Sequence, residues 1–169
     1  MSKIAIITDL HFGVRNNSTF FLQNQKDFIY GTFFPYLESN GIKDVWILGD
    51  LLENRKFVNV QILNELNDFC KRLESADINV VCLIGNHDIY YKNTNNINSL
   101  VPTTSAFKNI KLIETFEVIN FDGLDVGFIS WISPEIRDQA IQWLRTVDAK
   151  IICGHFEINS FEIIKGVVC

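Results

Sequence analysis

Apolar residues recur along the chain in short, nearly continuous blocks that stop abruptly at polar or glycine-containing segments. Four such blocks are Ile4 to Thr8, Val45 to Leu48, Val80 to Ile84 and Ile151 to Cys153. Rich in Ile, Val and Leu and lacking strict alternation, they read as strands buried on both faces. Between the early blocks the period changes. Val60 to Ser75 carries Ile62, Leu63, Leu66, Phe69 and Leu73 on one stripe, the pattern of an amphipathic helix. Gln25 to Ser39 places Phe28, Ile29, Phe33 and Leu37 near the same spacing, and Pro35 is expected to kink or shorten that helix. Strand, helix, strand, helix, strand predicts parallel pairing through crossover helices.

The middle of the chain has another character. Ile110 to Glu114, Phe116 to Phe121 and Leu124 to Ser130 are short and partly alternating, and Asp122-Gly123 between the last two is a hairpin signal. This predicts a later, antiparallel part. Ser133-Pro134-Glu135 then predicts a helix start, with Ser133 as cap and Pro134 at the first helical position, running to about Thr146. The polar, aperiodic stretch from Asn93 to Ser99 reads as a surface loop. The expected fold class is therefore α/β, with a parallel first part, an antiparallel later part and helices covering both, in a single domain spanning 1–169.

Composition narrows the function classes. The 169 residues have 47% apolar and 21% charged positions, ordinary for a folded soluble domain. No apolar run approaches the ~20 residues of a membrane span, so no membrane partner is expected. The opening segment has too short an apolar core for a signal peptide. With 15 basic and 20 acidic side chains the net charge is −5, which argues against gripping nucleic acid by bulk positive charge. Cys70, Cys82, Cys153 and Cys169 form no CxxC pair; Cys82 and Cys153 read as small core residues, and a reduced, cytoplasmic location fits.

The chemistry gathers where the apolar blocks end. The chain has three histidines, His11, His87 and His155, and each follows a strand. The segments are Asp9-Leu10-His11-Phe12-Gly13, Gly49-Asp50-Leu51-Leu52-Glu53-Asn54-Arg55, Gly85-Asn86-His87-Asp88 and Gly154-His155-Phe156-Glu157. In parallel α/β sheets the carboxyl ends of strands line one edge, where ligands bind. Asp and His mixed with an Asn carbonyl form an oxygen and nitrogen donor set suited to Mn²⁺, Fe or Zn²⁺. The Asp50 carboxylate has two oxygens and is able to bridge two ions, and two ions about 3.5–4 Å apart form a clamp for in-line attack on phosphorus. Gly49, Gly85 and Gly154 are expected to allow the sharp turns that aim the next side chain into the cleft.

These four elements, in this order and over nearly the whole chain, resemble the calcineurin-like metallophosphoesterases. The longer segments Gly85 to Asn93 and Gly154 to Asn159 resemble the DNA-repair nuclease branch, the SbcD-like proteins and phage recombination nuclease subunits. The resemblance implies a two-sheet sandwich flanked by helices and two divalent ions, Mn²⁺ first, with Fe, Zn or Mg as alternatives. It implies that Asp9, His11 and Asp50 hold one ion, and Asp50, Asn86 and His155 the other. His87 would stabilise the transition state and protonate the leaving oxygen, and Asp88 would orient His87. Glu53 stands where nuclease relatives usually carry Asp. The family's final Gly-His-x-His element has no counterpart after His155, so the domain is expected to be incomplete at its C-terminus, and the apolar run Phe161 to Cys169 to lack neighbours.

The implied activity is metal-dependent hydrolysis of phosphodiesters in DNA, with a separate ATPase subunit as partner and a homodimer in keeping with the related nucleases. Two alternatives stand beside it: a phosphomonoesterase or small-molecule phosphodiesterase, and an inactive binding domain. Arg15, Lys26, Arg55, Lys56 and Lys92 are candidate phosphate contacts, equally readable as solvated surface charges.

Overall fold

A computed structural model describes residues 3–156 in full and the backbone of 162–164 and 167–168. The expectations for Glu157 to Asn159 lie outside the described residues, as do the side chains of the Phe161 to Cys169 run. Strands β1 (Ile4–Ile7), β2 (Asp44–Ile47), β3 (Asn79–Leu83) and β4 (Ile110–Ile113) form a parallel sheet in that order. A second sheet takes β5 (Phe116–Phe121), β6 (Leu124–Ile129) and β7 (Ile151–Gly154), with β5 and β6 antiparallel and β6 and β7 parallel. The short strands β8 (Glu162–Ile164) and β9 (Val167–Val168) pair antiparallel. No helix among the described residues is long and apolar enough to cross a membrane.

Alternation along β2 and β3 explains the layering. Val45, Ile47, Val80 and Cys82 point to one face, where they pack with Leu66, Phe69 and Leu73 of α4 (Val60–Ser75) and with Phe34 and Leu37 of α3 (Phe34–Asn40). Trp46, Val81 and Leu83 point to the other face and meet Val126 and Phe128 of β6. The continuous apolar blocks are thus two interleaved alternating faces, each with its own core. Trp46 and Phe128 meet edge-on with ring centroids 4.9 Å apart. On the far side of the second sheet, Trp143 of α6 (Arg137–Thr146) stacks on Phe116 at 5.0 Å. The result is the expected sandwich of two sheets flanked by helices.

Several expectations need correction. Burial on both faces holds for β2 and β3, but the edge strands are half open: Ile6 is 53% and Ile151 45% exposed. β4 belongs to the parallel sheet, and β7 joins β6 in parallel; both arrive by crossover, which local alternation cannot report. The helix before β2 begins earlier, as α2 (Thr19–Phe28), and passes through a π-helical turn, Ile29–Phe33, into α3. Pro35 lies in the first turn of α3, where its missing N–H costs little, so the wider turn replaces the expected kink. Ser133 does not cap α6. Its backbone closes a turn with Ile136, and the helix starts at Arg137.

The stretch from Asn93 to Ser99 is more than a surface loop. Asn95 and Asn98 are buried. Asn95 Nδ2 donates to the carbonyls of Glu114 and Trp131, and Asn98 Oδ1 accepts from the N–H groups that open α5 (Leu100–Thr104). The Asp122-Gly123 hairpin is present, with φ of 50° and 82°, as a two-residue turn with both central residues left-handed requires.

Candidate metal centre

The parallel pairing of β1 with β2 continues past the strands as a clamp between loops. Asp9 N–H donates to Gly49 O at 3.1 Å, His11 N–H to Asp50 O at 3.0 Å and Phe12 N–H to Leu51 O at 2.9 Å. Asp9, His11 and Asp50 all have positive φ, at 55°, 46° and 51°. A non-glycine residue in that region costs on the order of 1–3 kcal/mol and persists only where its surroundings hold it, most often at functional sites. The turn therefore comes from the donor residues themselves as well as from Gly49, at φ +92°. Gly85 and Gly154 were expected to make sharp turns; close approach is their observed role. A Cβ on Gly85 would overlap the Asp50 carboxylate, one on Gly49 the His155 ring, and one on Gly154 the Phe156 ring.

Five expected ligands converge. His11 Nε2 lies 3.5 Å from Asp9 Oδ1 and 3.5 Å from Asp50 Oδ2. His155 Nε2 lies 3.5 Å from Asp50 Oδ1 and 3.0 Å from Asn86 Oδ1. The two oxygens of one carboxylate thus face two donor groups. For metal–donor bonds of ~2.0–2.2 Å, neighbouring donors lie roughly 3.0–3.5 Å apart, so these separations fit a cation in each group. Asp50, 3% exposed, is the buried member of both.

The imidazole hydrogen bonds support the same fit. His155 Nδ1 is 2.8 Å from Leu48 O, so Nδ1 carries the proton and Nε2 turns a lone pair toward the oxygens of Asp50 and Asn86. Three acceptors then meet with no hydrogen between them, an arrangement that positive charge relieves. His11 Nδ1 lies 2.7 Å from Glu53 Oε2, the usual carboxylate position behind a ligating histidine. Glu53 is the residue that sequence reasoning undervalued. It was visible only as a longer side chain in place of Asp.

His87 stands beside His11, rings edge-on at 4.9 Å. Its Nδ1 is 3.0 Å from the Glu53 carbonyl and 3.7 Å from Glu53 Oε2, while its backbone N–H donates to Asp50 Oδ1 at 2.8 Å. The expectation that Asp88 orients His87 is corrected: the Glu53 carbonyl holds that ring. Asp88, wholly buried, accepts instead from the N–H groups of Gly85 at 2.9 Å, Leu52 at 3.0 Å and Leu51 at 3.4 Å, tying the loop after β3 to the loop after β2. Burial raises the Asp88 pKa to about 6 against the pull of those N–H groups, and the nearby Asp50 charge adds to the rise. Burial also raises the thiols of Cys70, Cys82 and Cys153, in keeping with inert core cysteines.

The candidate phosphate contacts separate. Lys26 is committed to the buried Glu65 carboxylate at 2.6 Å, and Lys56 lies over the Tyr90 ring. Arg15 sits in α1 (Val14–Asn17), a turn wound left-handed through Arg15, Asn16 and Asn17. Arg55 and Lys92 line a cleft that Asn86 shares.

Residues 2–166 match the sequence profile of the calcineurin-like phosphoesterases. The chain is 28% identical over 166 residues to exonuclease subunit 1 of Enterobacteria phage T4, a match covering 98% of this chain and 48% of that protein. It thus spans about half the length of that curated relative. Among solved structures, a similar one is the nuclease MPE of Pseudomonas putida, with a TM-score of 0.48 and 17% identity over 73% of this chain and 52% of that one.

Proposed function

From the calcineurin-like phosphoesterase family, to which this chain belongs, we propose a metal-dependent phosphodiesterase that cleaves DNA. In this reading it is the nuclease part of a repair or recombination assembly with a separate ATPase subunit, acting in the cytoplasm. The observation that carries the reading is the shared Asp50 carboxylate, one oxygen facing His11 and the other facing His155. The T4 relative's name, an exonuclease subunit, supports both the substrate and the assembly.

Asp9, His11 and Asp50 would hold one divalent ion, and Asp50, Asn86 and His155 the second; this donor set suits Mn²⁺, Fe or Zn²⁺, and the family resemblance puts Mn²⁺ first. Such a pair, when bound, supplies positive charge to the phosphoryl oxygens and lowers the pKa of water. Leu48 O accepts from His155 Nδ1, so that Nε2 of that ring faces inward, and the Glu53 carboxylate lies 2.7 Å behind His11 Nδ1. His87 gives its Nδ1 proton to the Glu53 carbonyl as a hydrogen bond, which leaves Nε2 to carry a proton to the leaving oxygen. Asp88 is a positioning residue for the backbone around them.

The test is Mn²⁺-dependent cleavage of end-labelled DNA by the wild type and by His87→Gln. The variant should bind Mn²⁺ as the wild type does and lose about 10²–10⁴-fold in turnover. A variant cutting at the wild-type rate would remove His87 from the chemistry. A wild type that cuts no DNA under saturating Mn²⁺ would contradict the nuclease reading.

A further inference from the structure

Next to the metal centre a cleft of about 630 Å³ opens between the loops after β2 and β3 and the segment that leads into α6. Pockets of roughly 300–1,000 Å³ suit small organic ligands, and a nucleotide falls in that range. Arg55, Lys92 and Arg137 line the cleft, and no carboxylate does. This is unexpected in a chain with five more acidic than basic side chains. Among the described residues, none of the three cations makes an ion pair or hydrogen bond. Lys26 and Lys111, by contrast, are paired with Glu65 and Glu117.

Two further residues give the cleft direction. Asn86 lines it and also turns Oδ1 to His155 Nε2, so cleft and metal centre share a wall. Trp131, half-buried, forms another wall, its ring centroid 6.3 Å from that of His155. Uncommitted cations around a flat aromatic surface are what a single nucleic-acid strand requires: charge for its phosphates and a face on which a base stacks. We propose that this cleft is the subsite for the nucleotide adjoining the scissile phosphodiester of a DNA strand, with Arg55, Lys92 and Arg137 on its phosphates and Trp131 under its base. The inference rests on the phosphodiesterase reading and adds a reason for preferring a polymer: a substrate with one phosphate leaves the cleft unused. Arg137 carried no motif in the sequence, and only the fold brings it to the same cleft as Arg55.

The experiment measures binding of a fluorescent, phosphorothioate-linked oligothymidine to the Mn²⁺-loaded protein by anisotropy, from about 50 to about 200 mM salt. Each phosphate contact on a single strand contributes about 0.7 to the slope of log affinity against log salt, so Lys92→Ala/Arg137→Ala should flatten it by about 1.4. Trp131→Ala should weaken binding by about fivefold or more. Turnover of bis(p-nitrophenyl) phosphate, which has a single phosphate, should stay at the wild-type value in the double variant. An unchanged slope overturns the subsite, as does a wild type that binds no oligothymidine. Equal loss of binding and of bis(p-nitrophenyl) phosphate turnover also overturns it, because the cations would then act on the centre itself. Absence of turnover in a wild type that does bind the strand contradicts the phosphodiesterase reading, while the flattened slope still reports the cleft.

Discussion

His11 and His87 have rings 4.9 Å apart, and Glu53 serves both by different groups. Its carboxylate sits behind His11 Nδ1, and its carbonyl accepts from His87 Nδ1. Removing the side chain while keeping the backbone separates these tasks. Glu53→Ala should weaken Mn²⁺ binding about 10–100-fold, the usual effect of losing the partner behind a metal ligand. His87 should keep its orientation in that variant, since its carbonyl partner remains. Calorimetric titration checks the affinity, and unaltered binding would deny Glu53 its role. At this scale the sequence was informative because each of Asp9, His11, Asp50, Asn86 and His155 follows an apolar block within a few residues. The partners behind them were not, because a backbone carbonyl such as Leu48 O leaves no trace in residue identity.

Among the elements, α4 spans Val60–Ser75 as its apolar stripe predicts, and β1, β2 and β3 fall within a residue or two of their blocks. What local pattern missed depends on distant partners. The direction of β4 and β7 is set by crossovers, and the start of α6 by a turn at Ser133 and Ile136. The loop after β3 depends on Asp88, whose sequence setting suggested work on His87. Its three backbone donors instead tie two strand ends together. Asp88→Ala leaves buried N–H groups unpaired, each costing about 1–3 kcal/mol. The variant should lose at least about 2 kcal/mol, or roughly 4–8 °C in melting temperature for a chain of this size. Thermal unfolding of the metal-free protein measures this, and an unchanged midpoint would deny Asp88 its role in tying the two loops together.

Across the whole molecule, one sheet edge collects the chemistry. Loops from β1, β2 and β3 in the first sheet and from β7 in the second bring their donors to Asp50, the buried carboxylate that faces both His11 and His155. The loops of the first sheet carry Asp9, His11, Asp50 and Asn86, and the second sheet adds His155, so the sandwich is what completes the second donor group. A net charge of −5 suits cation binding there, and the Arg55, Lys92 and Arg137 cleft gives a local reversal of sign beside it. The parallel pairing of β1 to β3 followed from the sequence and the sandwich from the family resemblance; the placement of β4 and the role of Arg137 in the cleft did not, since both depend on residues far apart in the chain. Everything turns on Asp50 joining two ions. Titration of the wild type and of Asp50→Ala with Mn²⁺, followed calorimetrically, tests this most directly. The wild type should take up two ions per chain and Asp50→Ala none, whereas undiminished two-ion binding by Asp50→Ala would contradict the shared bridge.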